Sequence, residues 1–371
     1  MKIVFLYGNM QRGGAQRVIS CLAAYCAQMG DEVTILTLDG DGSGYELDPS
    51  IRALGLDVAG DSANKLDSVR RFLATERKLW AWMKAEKPDV VLAFSRKLTM
   101  QLLAVPYGDK ACSVICSERA NPSFVEEKKM EAWLEKKALT RVDGFIFQTQ
   151  RVSRLFPEKL QKIGAVIHNG LFSEDIPEEN TAFADRDHKA ICAVGRLDND
   201  QKAYDVMLDA FALFREKHPE HMLHIYGSGG SEAAIQAQAA ALGLTDSVIL
   251  HGNLPHVIGE IKDMGMFVMT SRFEGMPNAL IEAMACGLPC VCTDCDFGPA
   301  ELIRDGENGL LVPVDDAATI AAAMERIADD PALAEKLSHG ALEIRQTHGR
   351  ETICRQYRDY VLSVIEKRKR K

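Results

Sequence analysis

Ten short apolar runs recur along the chain, separated by longer segments with helical spacing of their apolar positions. Five fall in the first half: IVFLY (3–7), VTILTL (33–38), VVLAF (90–94), SVICS (113–117) and GFIFQ (144–148). Five more follow: ICAVG (191–195), MLHIYG (222–227), SVILHG (247–252), MFVMTS (266–271) and PCVCTD (289–294). The runs are continuously apolar, the pattern of strands buried on both faces. Alternation with helices predicts parallel sheets, and so an α/β fold of doubly wound, Rossmann-like domains.

The polar, acidic stretch SEDIPEENTAFADRDH (173–188) divides the two sets of runs. A chain of 371 residues is too long for one ordinary core and suits two domains. The expected division is 1–172, then 173–350, then a last helix over 351–371 packing back on the first domain. Two such domains facing each other make a cleft. Sheets of this kind bind ligands outside the carboxyl ends of their strands, and most of the distinctive residues here sit just after a strand.

Hydrophobic residues at 47% and charged residues at 26% are ordinary for a soluble globular protein. No apolar run approaches a membrane span. MKIVFLYG, followed at once by QRGGAQR, reads as a first buried strand and lacks the features of a signal peptide. A cytoplasmic protein with reduced thiols is the expectation for its ten cysteines. Cys286, Cys290, Cys292 and Cys295 invite a zinc reading, but they lack paired C-x2-C units. They read as small buried apolar residues, and no metal is expected. The net charge is −9, unevenly spread: residues 1–170 carry 24 Lys+Arg against 20 Asp+Glu, the remainder 20 against 33. Overall acidity argues against nucleic-acid binding.

The most informative stretch is SRFEGMPNALIEAMACGLP (271–289). Glu274 lies in a Gly/Pro-containing turn, and Glu282 about one turn inside the helix that follows. Asn278 is expected as the N-cap and Gly287 as the C′ residue. The helix N-terminus offers N–H groups and a partial positive charge to an anion. Carboxylates beside it suit the hydroxyls of a sugar nucleotide. Gly195, Arg196 and Lys202 lie in AVGRLDNDQKAYD, between a strand and a helix, where an arginine fork and a lysine point charge can grip phosphate. Gly13 and Gly14 follow the first strand, with a helix expected from about Ala15. Gly227 and Gly229 lie in YGSGG, a glycine turn without the full dinucleotide spacing. HGNL (251–254) is a polar loop that suits a nucleobase edge.

Taken in order, GGAQRV, VIHNG (166–170), VGRL with QKAYD, YGSGG, LHGN, SRFEGMPNALIEAMACGLP and GPAELIRDGENGLLVP resemble the retaining GT-B glycosyltransferases of family 4. The resemblance covers nearly the whole chain. It is closest to bacterial transferases that build exopolysaccharide, O-antigen or lipid-linked oligosaccharide, and ICSERANP (115–122) looks like that branch. It implies an acceptor-side first domain and a donor-side second domain. Arg196 and Lys202 would hold the donor pyrophosphate and stabilise the leaving group. Glu274 would face the transferred sugar. Gly275, Met276, Pro277 and Asn278 would hold its hydroxyls and a phosphate through their backbone. Glu282 would bind the ribose hydroxyls, and Gly14 would close on the phosphate from the other domain. Many relatives carry a histidine near the strand ending around 117. Here Ser117-Glu118-Arg119 stands in its place, making Glu118 and Arg119 candidate sugar or acceptor contacts. The resemblance also implies retention of anomeric configuration by same-face attack.

No Asp-x-Asp motif stands out in a loop suited to a metal diphosphate, so transfer without a metal is expected. The expected donor is a UDP-hexose or UDP-N-acetylhexosamine, with no further cofactor. The expected acceptor is a saccharide, on a polyprenyl pyrophosphate or other lipid carrier. LDSVRRFLATERKLWAWMK (66–84) reads as an amphipathic helix, with Arg70, Arg77 and Lys84 every seven residues, Arg71 and Lys78 beside them, and Val69, Leu73, Trp80 and Met83 on an apolar side. FVEEKKMEAWLEKKALTR (124–141) adds Lys128, Lys129, Lys136 and Lys137. Both suit either a solvated face or a surface for anionic lipid, as does the basic end of VLSVIEKRKRK. Two other functions share the fold: a nucleotide-sugar epimerase or phosphorylase, and a sugar-nucleotide-binding protein without turnover.

Overall fold

All ten apolar runs form strands. The computed structural model describes residues 1–370 apart from 12, 41–42, 59–64, 105–111, 120–137 and 174. Two units emerge: Met1–Phe172 together with Arg350–Lys371, and Ser173–Gly349.

The first unit carries β1 (Lys2–Tyr7), β2 (Glu32–Thr37), β3 (Arg52–Gly55), β4 (Val90–Ala93), β5 (Ser113–Ser117), β6 (Gly144–Phe147) and β7 (Gly164–Val166). They form one parallel sheet in the order β3-β2-β1-β4-β5-β6-β7. The second unit carries β8 (Asp187–Val194), β9 (Met222–Tyr226), β10 (Val248–Leu250), β11 (Met264–Met269), β12 (Cys290–Thr293) and β13 (Leu310–Val312). Its parallel order is β10-β9-β8-β11-β12-β13. In each sheet the chain reverses direction from β1 or β8 across the sheet, the topology that opens a ligand crevice at the carboxyl ends. Both units are therefore doubly wound, Rossmann-like α/β domains, as expected.

The three strands missed in sequence, β3, β7 and β13, all lie at sheet edges. β3 (RALG) and β7 (GAV) are short and only partly buried, so they lack the continuous apolar run that marks a central strand, whereas β13 (LLV) is apolar but only three residues long. Helix packing covers the sheets. The helix Tyr204–Arg215 buries Met207, Leu208, Phe211 and Phe214, at the i, i+1, i+4, i+7 spacing of one face, against β8, β9 and the helix Ala317–Asp329. Truncating Phe211 to alanine there would cost about 3–5 kcal/mol.

The last helix begins at Arg350, one residue before the expected start, and the second unit ends at Gly349. Its Cys354, Tyr357, Val361 and Val364 are buried in the first unit's core beside the helix Gly14–Gln28. Arg358 Nε donates to Asp31 Oδ2 at 2.8 Å, and the N-terminal ammonium reaches the other oxygen at 2.9 Å.

All ten cysteines are buried free thiols. Cys290 and Cys292 face the packed interior from β12. Burial pushes the Cys286 thiol up to about 11, and burial with the nearby Glu274 charge pushes Cys295 up to about 12. Such thiols are poor metal ligands as they stand.

The helix Lys65–Glu86 corrects one expectation. Its buried face is Thr75, Glu76, Leu79 and Met83, whereas Leu73 and Trp80 are exposed. The side chain of Val69, and the stretch 124–137 of the second amphipathic segment with its four lysines, lie outside the described residues.

Candidate active site

The second unit brings the loop after β8 against the turn after β11. Asp198 caps the short helix Asn199–Lys202 by accepting from Gln201 N at 3.3 Å. Ala203 then takes a left-handed conformation, φ 51°, which separates this turn from the helix Tyr204–Arg215. A non-glycine residue there is strained by about 1–2 kcal/mol. Thr270 Oγ1 secures the kink by donating to the Lys202 and Ala203 carbonyls, each at 3.0 Å. Arg272 fastens the turn to the loop from the other side. Its N–H donates to Gln201 O at 2.8 Å, and its guanidinium reaches Asn199 O, Asp205 and Asp315.

The kink aims Lys202 at Glu274. Lys202 Nζ stands 2.5 Å from Glu274 Oε1, and Ser271 Oγ donates to the same oxygen at 2.7 Å. Glu274 is 6% exposed, so the charge is held in low dielectric beside its counter-ion. Oε2 has no hydrogen-bond partner among the described residues. Burial, with the Glu274 charge, pushes the neighbouring Tyr204 phenol well up, so it stays protonated and donates to Gly195 O at 3.1 Å. Arg196 is the exposed member. One Nη2 bonds Asp198 at 2.9 Å and Gln201 at 3.0 Å, and the fork otherwise faces outward.

The helix carrying Glu282 runs Asn278–Ala285. Pro277 is its N-cap, with no side-chain cap bond, so Asn278 is the first helical residue rather than the cap. Proline cannot donate a backbone bond, but its restricted φ suits a helix start. The C-terminus follows expectation. Gly287 at φ 68° donates to Met284 O at 2.8 Å and Leu288 N to Ala283 O at 3.1 Å, a Schellman end. Gly275 and Pro277 lie under Gly298, where any Cβ would stand 2.6 Å from Gly275 O.

The YGSGG glycines have a packing reason. A Cβ on Gly227 (φ 143°) would lie 1.9 Å from Gly195 O, and one on Gly229 2.3 Å from Leu197 O. The loop therefore lies directly under Gly195–Leu197, bound by Gly195 N to Tyr226 O at 2.9 Å and Leu197 N to Ser228 O at 3.1 Å. Next to it, Gly227 N donates to Gly252 O at 2.8 Å in the HGNL loop, and His251 stacks on Tyr226 at 4.4 Å.

The first unit has its own cavity, about 760 Å³, at the carboxyl ends of β1, β4 and β5. Tyr7, Gln16, Arg71, Lys97, Glu118 and Arg119 are among its lining residues. Glu118 is buried and paired with Arg96 at 2.6 Å. Arg119 lies over the rings of Phe94 (5.3 Å) and Tyr357 (5.7 Å), and donates to Asn169 of VIHNG and to Tyr357 OH. Both are therefore fixed by the fold and present only part of their surface to the cavity. Gly13 and Gly14 precede the lining residues Ala15 and Gln16: the helix begins at Gly14, one residue early, Gly13 is extended at φ 176°, and neither glycine is left-handed. Gly13 is pinned by Tyr45 OH, which accepts from its N–H at 3.1 Å and donates to its carbonyl at 2.9 Å.

Ser271, Gln201, Arg272, Arg96 and Tyr357 position the site residues and were not singled out in the sequence. Ser271 and Arg272 lie three and two residues before Glu274 in the same segment. Arg96 and Tyr357 come from distant elements that only folding brings together.

Two family sequence models match the chain: "Glycosyltransferase Family 4" over residues 12–173 and "Glycosyl transferases group 1" over 175–343. An exopolysaccharide phosphotransferase of Streptomyces coelicolor is 32% identical over 231 residues, 61% of this chain and 24% of the relative. An N-acetylgalactosamine-N,N'-diacetylbacillosaminyl-diphospho-undecaprenol 4-alpha-N-acetylgalactosaminyltransferase of Campylobacter jejuni is 26% identical over 377 residues, 97% of this chain and 98% of its own. Among solved structures, Anabaena HepE in complex with UDP superposes with a TM-score of 0.75 at 17% identity, covering 98% of this chain and all of that one.

Proposed function

Because the chain belongs to the family 4 glycosyltransferases of GT-B fold, we propose that it moves a hexose or N-acetylhexosamine from a UDP-sugar to a saccharide acceptor. The observation that carries this reading is the Lys202–Glu274 pair, 2.5 Å apart, with the Arg196 fork opening from the same loop. Departure of a nucleoside diphosphate builds negative charge on its β-phosphate. Arg196, Lys202 and the N-terminus of the helix Asn278–Ala285 supply fixed positive charge for it, which stabilises the transition state most where water is excluded. No metal is needed for that role.

Glu274 is held by Lys202 and Ser271 through one oxygen. Its other oxygen is available to accept from a sugar hydroxyl. We assign it to orienting the sugar and supporting positive charge at the anomeric carbon, not to a covalent intermediate, with retention by same-face attack. Gly275, Met276, Pro277 and Asn278 would serve the sugar and phosphate through backbone N–H groups, and Glu282 the ribose. The UDP preference draws support from the UDP bound by the Anabaena protein.

The acceptor would be a cell-surface polysaccharide precursor on a lipid carrier; the Campylobacter relative is named for a saccharide on diphospho-undecaprenol. Among the described residues no helix is long and apolar enough to cross a membrane. Peripheral contact at the cytoplasmic face would use the helix Lys65–Glu86, where Arg70, Arg77 and Lys84 are exposed beside Phe72, Leu73 and Trp80. Flotation with anionic and neutral liposomes tests that contact; equal recovery from both removes it.

Screening UDP-, GDP- and ADP-sugars for protection against thermal unfolding tests the donor assignment, since a bound donor raises stability by mass action. A rise with UDP-sugars alone supports it. Protection by another nucleotide class replaces it.

A further inference from the structure

At the opposite end of the helix Tyr204–Arg215 from Lys202, the turn into β9 reads His218-Pro219-Glu220-His221. Two imidazoles and a carboxylate converge here: His218, Glu220 and His221 can each offer a ligand atom, all within 4.8 Å of one another. Asp329, the last residue of the helix Ala317–Asp329, places Oδ1 3.5 Å from His218 Nε2. Glu220 Oε1 is 3.8 Å from His221 Nδ1.

The ring faces are explained by packing. His218 stacks on the core residue Phe214 at 4.6 Å, and His221 meets it edge-on at 5.0 Å. One nitrogen of each ring is not explained. His218 Nε2 and His221 Nδ1 are both buried atoms without a hydrogen-bond partner, and the His221 side chain is 8% exposed. Leaving such a nitrogen unsatisfied costs about 1–3 kcal/mol. Each faces its own carboxylate, His218 Nε2 that of Asp329 and His221 Nδ1 that of Glu220, and a cation among them would satisfy both nitrogens.

The separations suit one class of ion. Tetrahedral zinc, with bonds of about 2.0–2.2 Å to nitrogen and oxygen, sets its ligand atoms about 3.3–3.6 Å apart. The 3.5 and 3.8 Å pairs are at or slightly above that spacing, within a small side-chain rotation. Imidazole nitrogens favour zinc-like ions over calcium or magnesium. The ends of two helices also meet here, and a helix C-terminus carries partial negative charge.

We infer that His218, Glu220, His221 and Asp329 form a binding site for a divalent transition ion of the zinc class. The ion would tie the turn before β9 to the end of the helix Ala317–Asp329. Because it lies at the amino end of β9, away from the loops that follow the strands, its role is to brace the second unit rather than to take part in transfer.

The test uses the full chain, stripped with a chelator and titrated with Zn2+ and, separately, Co2+. The expected result is one equivalent bound, a higher melting temperature, and the visible absorption of tetrahedral Co2+ without a thiolate charge-transfer band. Glu220→Gln and Asp329→Asn, at exposed carboxylates whose loss should leave the metal-free fold intact, should each weaken binding at least tenfold. His218→Gln should abolish it. The inference is overturned if the stripped wild-type chain takes up no stoichiometric ion, if a thiolate band shows cysteine ligation, or if the two carboxylate variants bind as the wild type does.

Discussion

Lys202 and Glu274, 72 positions apart in the chain, are joined at 2.5 Å on the rim formed by the loops after β8 and β11. The pair fixes where the cation and carboxylate stand before any ligand arrives. Its placement depends on the left-handed Ala203 and on Thr270 beneath it. Glu274→Ala should therefore lower turnover much more than donor affinity. Steady-state kinetics against a donor titration separate the two, and an unchanged kcat in the folded variant would remove Glu274 from the chemistry.

Gly227 tests whether the glycine loop is structural. With a Cβ 1.9 Å from Gly195 O and φ at 143°, Gly227→Ala should destabilise the second unit by about 2–4 kcal/mol. It should also weaken donor protection by displacing Arg196. Urea unfolding reads the first effect. A variant as stable as the wild type would mean the two loops are not in firm contact.

Arg119 is held by Asn169, Tyr357 and two rings, so its planar fork matters more than its charge. Arg119→Lys should cost about 1–3 kcal/mol of stability. Chemical denaturation measures this. If stability is unchanged while acceptor KM rises, Arg119 is a ligand contact first and a structural residue second.

Glu76 is 8% exposed, both its carboxylate oxygens lack partners, and burial pushes its carboxyl from the ordinary 4.5 up to about 7. The folded state thus holds a proton that the unfolded chain releases near pH 4.5. The neutral acid is tolerated below that value. Stability falls as pH rises through the window up to about 7, where the buried group must ionise. Glu76→Gln should flatten this dependence and gain about 1–3 kcal/mol at pH 8. Melting temperatures between pH 5 and 8 for both proteins decide it; parallel curves would show that Glu76 is solvated.

Much of this was readable in the chain because it depends on local pattern. Central strands are continuous apolar runs, and the Gly287 helix end and the Glu274–Glu282 spacing are local too. The edge strands β3 and β7 lack that signal. The Asn278 cap was misplaced by one residue because proline at 277 also starts helices well. The apolar side of the helix Lys65–Glu86 was misjudged because a buried carboxylate, Glu76, sits where the pattern calls for an apolar residue. Contacts such as Arg119–Tyr357, 238 residues apart, leave no trace in spacing.

The role of the fixed cations is tested most directly by UDP release from a UDP-sugar in EDTA, measured for the wild type and Lys202→Ala at a temperature where both are folded. The wild type should release UDP at the same rate with and without the chelator, and the variant should be slower by about 10²–10³-fold. A variant within tenfold of the wild type, or a wild type that works only with added Mg2+, would contradict the assignment of Lys202 and Arg196 as the groups that stabilise the departing diphosphate.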